Sequence, residues 1–334
     1  MLSLIILENN MGIIHTKLIT DPAAWNGAEF ATNSSWIRVL SKTAITELKN
    51  AVKVIKSRKL SFPYFTKDDF LLPTLSTVLA TFGTELETEQ GFILLRGIPV
   101  DAYDNDEDLD ILYYGIALHI GEPVRQNPQG DLIGRVVNIG NQKNPQTRVY
   151  ETNAYLPYHS DPSDVVGLLC IRPAKSGGVS SLISSNSLYN EILKRYPEYL
   201  SILHRPMWYP HVGTEPCLSP IFSYNQGKLS CRYMRQYIEL AQETMGFTFS
   251  PIEIEAFDLI DSIMQEEGMR VDMMMQSGDL QLVNNYTVLH SRNSFEDHED
   301  IKLRRKKHRV WLKTPQARQL GYEFPGRHGF PNPS

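Results

Sequence analysis

Tyr158-His-Ser-Asp161, running through Pro162-Ser-Asp164 into the apolar stretch Val165-Val-Gly-Leu-Leu-Cys-Ile171, decides how this chain is read. In extended backbone, residues i and i+2 point to the same side, so the imidazole of His159 and the carboxylate of Asp161 leave one strand end toward a common point. By itself an H-x-D triplet is a weak signal, because the chain has 9 histidines and a second triplet, His298-Glu-Asp300. That second triplet lies in the polar run Glu296–Lys307 with no adjoining strand, and it reads as a solvated loop.

A partner for the first triplet stands downstream, in Gly278-Asp-Leu-Gln-Leu-Val-Asn-Asn-Tyr-Thr-Val-Leu-His290-Ser-Arg292. A Gly-Asp turn leads into a strand, an Asn-Asn turn follows, and a short apolar segment delivers His290. A lone histidine after Val-Leu is more often a satisfied core residue than a ligand; an upstream H-x-D in the same strand-rich chain reverses that weighting. Two imidazoles and one carboxylate leave three open faces on an octahedral cation, which suits Fe(II) oxygen chemistry, whereas zinc normally recruits four ligands or keeps one position open.

Outward from these motifs, the texture of the chain changes near Gly121. Before it, Thr46–Arg58, Asp68–Phe82 and Asp104–Ile120 carry apolar residues at helical spacing, with Gly91-Phe-Ile-Leu-Leu-Arg-Gly97 a buried strand between them. After it, short β-like runs recur: Arg135–Ile139, Val165–Ile171, Val179–Ser184, Ile221–Tyr224, Leu280–Asn284 and Val310–Leu312, with turns such as Asn225-Gln-Gly227 and Ser176-Gly-Gly178. Ser187–Leu203 and Arg232–Gly268 read as helical, the latter broken near Phe247–Pro251. The expected fold is mainly β with α, a double-stranded β-helix (jelly roll) core with flanking and inserted helices. One domain is expected over 21–334, its core over roughly 91–315 with a helical insert over roughly 230–270, after a ragged N-terminus at 1–20.

Bulk composition excludes several classes. The 334 residues are 42% hydrophobic and 21% charged, and 33 basic against 38 acidic side chains are well mixed, so no basic field attracts nucleic acid or an anionic membrane. Cys170, Cys217 and Cys231 are odd in number and lack a C-x-x-C spacing, against a disulfide framework or a thiolate zinc site. The apolar run Leu2–Leu7 is too short for a signal peptide, and no stretch approaches the ~20 apolar residues of a membrane span, so a cytoplasmic protein is expected. The expected partner is a small-molecule substrate, and a homo-oligomer is compatible with the composition.

The ordered motifs resemble the taurine dioxygenase-like (TauD/TfdA) branch of the Fe(II)/2-oxoglutarate-dependent dioxygenases. The resemblance runs from about Gly91 to Leu312 and rests on Gly91–Gly97, Gly121-Glu-Pro123, Tyr158-His-Ser-Asp161, Ser176-Gly-Gly-Val-Ser180, Gly278–Arg292 and Arg304-Arg-Lys-Lys-His-Arg-Val-Trp311. It implies an oxygenase that takes Fe(II), 2-oxoglutarate and O2. His159, Asp161 and His290 would be the catalytic metal ligands. Arg305 and Ser180 would take the distal carboxylate of 2-oxoglutarate, and Arg309 would reach its iron-proximal end or the substrate. Arg292 would be structural.

Arginine suits a buried carboxylate, since its planar fork gives paired charge-assisted hydrogen bonds that lysine does not reproduce. An even offset in an extended chain places Arg305 and Arg309 on one face, whereas Lys306 and Lys307 are read as part of a solvated loop. Tyr150, Tyr155, Tyr158 and Asn138 are candidates for the substrate mouth, and Arg309 suits a carboxylate-bearing substrate such as an amino acid. The segment Asn153-Ala-Tyr-Leu-Pro-Tyr158 departs from taurine dioxygenase itself, which weighs against taurine. Asp161 disfavours the related halogenases, which leave that position open. Hydroxylation, desaturation and cyclisation all remain open, as do two rivals: a cupin-like metal hydrolase or isomerase using the same ligands, and a catalytically silent ligand-binding homologue.

Overall fold

Val165–Arg172 is the hub of the larger sheet, pairing antiparallel with Leu280–Asn284 on one side and with Lys306–Lys313 on the other. These relationships are seen in a computed structural model that describes residues 14–138, 152–211, 214–325 and 329–330. Phe92–Arg96 and then Ile37–Val39 extend one edge, while Glu122–Val124 and Ile133–Val137 both pair with Lys306–Lys313 at the other, giving seven strands among the described residues. Facing it is a four-stranded antiparallel sheet in the order Arg270–Met273, Ser180–Ser184, Val288–Arg292, Leu156–His159. Two facing sheets with returning connections make the double-stranded β-helix anticipated from the motifs.

The period of two along each strand sorts the residues into three layers. Ile93, Leu95, Leu169, Leu280, Leu282, Val310 and Leu312 leave the larger sheet on its outer face and pack under the N-terminal helices. Phe92, Leu94, Val166, Cys170, Val283 and Trp311 point inward and meet Leu182, Val271, Met273 and Val288 of the smaller sheet. Tyr158, Ile183 and Leu289 leave the smaller sheet on its far side and pack against Leu188, Tyr189, Phe257 and Ile260. Each fully buried aliphatic side chain contributes roughly 1.5–3 kcal/mol. A one-residue slip would trade several of these for buried polar groups, so the register is strongly specified.

Local chemistry explains where the helices begin and end. Lys42–Ser57 starts at Ser41, whose hydroxyl accepts the N–H of Ala44, and Asp106–Leu118 starts at Asn105, whose side chain accepts the N–H of Asp108. The helix expected over Asp68–Phe82 instead spans Leu75–Thr88. Pro73 disfavours helical backbone at Leu72, and Asp69 ties down a turn by accepting the N–H and the hydroxyl of Thr66, both at 2.9 Å. Helix is also not continuous over Ser187–Leu203: Ser185–Arg195 stops before Pro197, and Leu200–Leu203 forms a further turn. Arg235–Thr244 and Pro251–Ile263 flank the expected break, the second opened by a reciprocal Ser250–Glu253 cap.

Two hairpins lie beside the smaller sheet. Phe222–Asn225 returns as Lys228–Cys231 through Gln226 and Gly227, both at positive φ, a backbone that glycine tolerates and most residues do not. The pairing of Met207–His211 with Thr214–Ser219 is not visible in the sequence pattern. Among the described residues no helix is long and apolar enough to cross a membrane.

Candidate metal centre

Antiparallel pairing places His290 directly opposite His159, with ring centroids 4.2 Å apart. Asp161, two residues beyond His159 and off the end of its strand, completes the group, and one potential ligand atom from each of the three lies within 4.8 Å of the others. His290 Nε2 is 3.7 Å from Asp161 Oδ2. His159 Nδ1 lies 2.8 Å from the carbonyl oxygen of Pro157, a contact in which the ring nitrogen donates and leaves Nε2 available to a cation. No other group of three such side chains is found among the described residues, and the His298-Glu-Asp300 triplet does not form one.

The electrostatics suit metal binding. Burial lowers the pKa of His159, and burial followed by its imidazole neighbour lowers that of His290 to about 3, so both rings are neutral near pH 7. Burial pushes the Asp161 carboxyl up, but Arg309, then His290 and His159, more than offset this and hold it below the ordinary carboxylate value. Neutral imidazoles and an ionised carboxylate are the forms a divalent cation requires. Asp161 Oδ2 is buried without a hydrogen-bond partner, which fits an atom whose partner is a cation.

Beside this group lies a cavity lined by His159, Asp161, His290, Ser180, Arg292, Arg305, Lys307 and Arg309, closed by Val136, Leu156 and Leu168. Arg305 is 4% exposed, Arg304 only partly buried, so Arg305 is the inward member of the pair. Its guanidinium stacks 4.9 Å from the Phe295 ring centroid, and Nη1 has no hydrogen-bond partner. Arg309 Nη1 is 3.6 Å from Asp161 Oδ1, and its Nε donates to Gln126 Oε1 at 2.8 Å. Ser180 Oγ donates to Gln281 Oε1 at 2.6 Å, leaving Gln281 Nε2 buried and unpartnered. Arg292 serves the backbone, donating to the carbonyls of Thr152 and Ala154. The unpaired buried donor at Arg305, in a cavity lined by further cationic side chains, fits an anion with several acceptor oxygens.

The other sequence candidates fall elsewhere. Tyr158 projects from the opposite face of its strand to His159 and hydrogen-bonds Ser291 and Ser181; with Tyr155 it lines a different cavity, among Tyr233, Met234 and Met264. Asn138 donates to Asp297 Oδ2 at 3.2 Å and lines a neighbouring basic cavity with Arg135, Arg172 and Arg304, which touches the metal-side cavity only through Arg305. Tyr150 lies outside the described residues.

The reading of Lys306 and Lys307 as solvated needs correction at Lys307, which is 3% exposed and faces the metal-side cavity, whereas Lys306 turns outward to Asp106. The strand begins at Lys306, so alternation already governs this segment. Gln281 and Gln126 were not anticipated either. Gln281 had a visible signal, a lone polar residue inside Leu280-Gln-Leu-Val283, while Gln126 had none.

A profile of the taurine catabolism dioxygenase TauD, TfdA family matches residues 56–311. The chain is 30% identical over 315 residues to FR-33289 synthase of Streptomyces rubellomurinus, covering 91% of this chain and 93% of the relative. It is 24% identical over 303 residues to the taurine hydroxylase-like protein SAT17 of Stachybotrys chartarum, covering 86% and 78%. Among solved structures it resembles an asparagine oxygenase in complex with Fe(II), 3-hydroxyasparagine and succinate, with a TM-score of 0.65 at 16% identity over 84% of this chain and 94% of that one. It also resembles the non-heme iron oxygenase OrfP in complex with Fe and alpha-ketoglutaric acid, with a TM-score of 0.62 at 15% identity over 85% of this chain and 100% of that one.

Proposed function

This chain belongs to the taurine catabolism dioxygenase TauD, TfdA family, and from that premise we propose that it oxidises a small carboxylate-bearing molecule of the amino-acid type, with His159, Asp161 and His290 holding the iron. It is a 2-oxoglutarate-dependent non-haem iron dioxygenase. When bound, iron(II) and 2-oxoglutarate activate O2 and supply the oxidising power, with succinate and CO2 as the spent cosubstrate.

The observation that carries the reading is the convergence of the three ligand side chains within 4.8 Å, in a cavity that also holds the Arg305 guanidinium with its Nη1 unpaired. Arg305 anchors the distal carboxylate of the keto acid, because its planar fork donates two parallel hydrogen bonds and Phe295 fixes its plane. Ser180 adds a hydroxyl from the facing strand, held in place by its hydrogen bond to Gln281. Arg309, held by Gln126 and adjacent to Asp161, orients a substrate carboxylate at the metal side. Val136, Leu156 and Leu168 exclude bulk water. That the structurally similar oxygenases are complexed with hydroxyasparagine and with (3S)-hydroxy-L-Arg supports an amino-acid-type substrate.

The test is a screen of amino acids and related acids for substrate-dependent conversion of 2-oxoglutarate to succinate with Fe(II) under air, followed by mass analysis of the product. A mass gain of one oxygen indicates hydroxylation, and a loss of two hydrogens indicates desaturation or ring closure. Succinate release that no carboxylate-bearing compound stimulates would overturn the substrate class. No succinate under any substrate would favour a metal hydrolase.

A further inference from the structure

Lys307 and Arg309 point to the same face of the strand Lys306–Lys313, and with Arg305, which immediately precedes that strand, they line the same cavity. Lys307 is 3% exposed, and its hydrogen-bond partner is the thioether of Met275, with Nζ 2.9 Å from Sδ. A thioether is a weak acceptor and carries no charge. The nearby carboxylates are already engaged: Asp279 by a bidentate pair with Arg96 at 2.8 and 2.9 Å, Asp297 by the N–H of Arg305, and Asp161 by Arg309.

An ammonium buried without a counter-charge is heavily penalised, and a methionine or leucine would fill similar space without that penalty. Four cationic side chains, Arg292, Arg305, Lys307 and Arg309, thus face a cavity whose one lining carboxylate is Asp161. Anionic charge from a ligand would offset this imbalance and keep the Lys307 ammonium protonated.

We propose that Lys307 is a further binding residue for the keto-acid cosubstrate, supplying a second cation to the carboxylate anchored at Arg305. The proposal rests on the assignment of this cavity to 2-oxoglutarate. Without a ligand, burial and then Arg305 lower the Lys307 ammonium to about 7. The charged and titratable groups facing it are Arg305 just before its own strand, Cys170 on the adjacent strand, Arg292 from the facing sheet and Asp279 at the turn before Leu280. Lys307 of the ligand-free protein therefore loses its charge as pH rises above about 7, and the keto acid must restore that proton on binding. Affinity for 2-oxoglutarate is expected to weaken between pH 7 and 9, up to about tenfold per pH unit for one linked proton.

The experiment is calorimetric titration of the Mn(II)-loaded protein with 2-oxoglutarate under anaerobic conditions, at pH 7 and pH 9, for wild type, Lys307→Met and Lys307→Gln. Thermal unfolding of each ligand-free protein is measured alongside. Wild type should bind more weakly at pH 9. Lys307→Met should bind roughly 10- to 100-fold more weakly at pH 7, lose most of the pH dependence, and melt at or above the wild-type temperature.

A dissociation constant within twofold of wild type for either folded variant would overturn the role of Lys307, as would a flat pH profile for wild type. A lower melting temperature with unchanged affinity would mark a purely structural lysine. Failure of wild type itself to bind 2-oxoglutarate would instead overturn the assignment of the cavity. Should neither variant fold, the wild-type pH profile alone decides.

Discussion

Asn285 Oδ1 accepts the backbone N–H of Asp161 at 3.0 Å, across 124 positions of sequence. Its amide nitrogen donates to the carbonyl and hydroxyl of Ser163, at 3.0 and 3.1 Å. One buried side chain from the turn before His290 therefore fixes the short segment that presents Asp161. The two ligand-bearing segments are bound to each other before any cation arrives.

Asn285→Ala removes this tie while leaving all three ligands in place. Supporting groups of this kind are worth about 10- to 100-fold in metal affinity, and a loss of that order is expected in a Mn(II) or Fe(II) titration of the variant. An affinity equal to wild type would show that Asp161 is positioned by other contacts.

Arg305 should separate cosubstrate binding from catalysis. Losing a charge-assisted hydrogen bond to a carboxylate costs about 1.5–3 kcal/mol, so Arg305→Ala is expected to raise the KM for 2-oxoglutarate by roughly 10- to 100-fold, with a smaller change in kcat at saturation. Arg305→Lys should recover little of this, since an ammonium cannot reproduce the bidentate fork. Unchanged KM in steady-state assays of both variants would remove Arg305 from the cosubstrate subsite.

Metal binding should stabilise the fold through the same three side chains. At a free metal concentration 100 times Kd, linkage predicts about 2.7 kcal/mol of added stability. Thermal unfolding with and without Mn(II) is expected to show a clear rise in Tm for wild type, reversed by chelator, and none for Asp161→Ala. A metal-induced rise retained in that variant would place the cation elsewhere.

Acid should destabilise the protein through a histidine outside the metal centre. His204 packs edge-on to Tyr189, with Nε2 3.0 Å from the tyrosine hydroxyl, and burial lowers its pKa to about 4 from 6.5. As pH falls, the unfolded chain takes up this proton first. The stability contribution is therefore intact above about pH 6.5 and lost progressively down to about pH 4, by on the order of 3 kcal/mol. Denaturant titrations from pH 7 to 4 should show a shallower decline for His204→Gln than for wild type. Parallel declines would show that His204 does not contribute.

Local backbone geometry was legible from the residues alone. The apolar runs Leu280–Asn284 and Val165–Arg172, the i, i+2 spacing of His159 and Asp161, and the lone histidine closing an apolar segment are visible in the residues before any neighbour is known. They were enough to anticipate a double-sheet core and the three side chains that meet in it. The same parity that turned Arg305 and Arg309 inward also applied to Lys307, and the highly charged composition of its segment masked this.

Long-range packing, by contrast, sets which strands are neighbours, and hence what each face meets. His290 faces His159 because their strands pair antiparallel, and Lys307 is buried because its strand lies between Val165–Arg172 and Ile133–Val137. Tyr158 left the metal side for the helix-covered face, although it adjoins a ligand in sequence. Alternation determines that neighbouring residues part company; only packing against other elements, through the burial it creates, determines which side becomes the site.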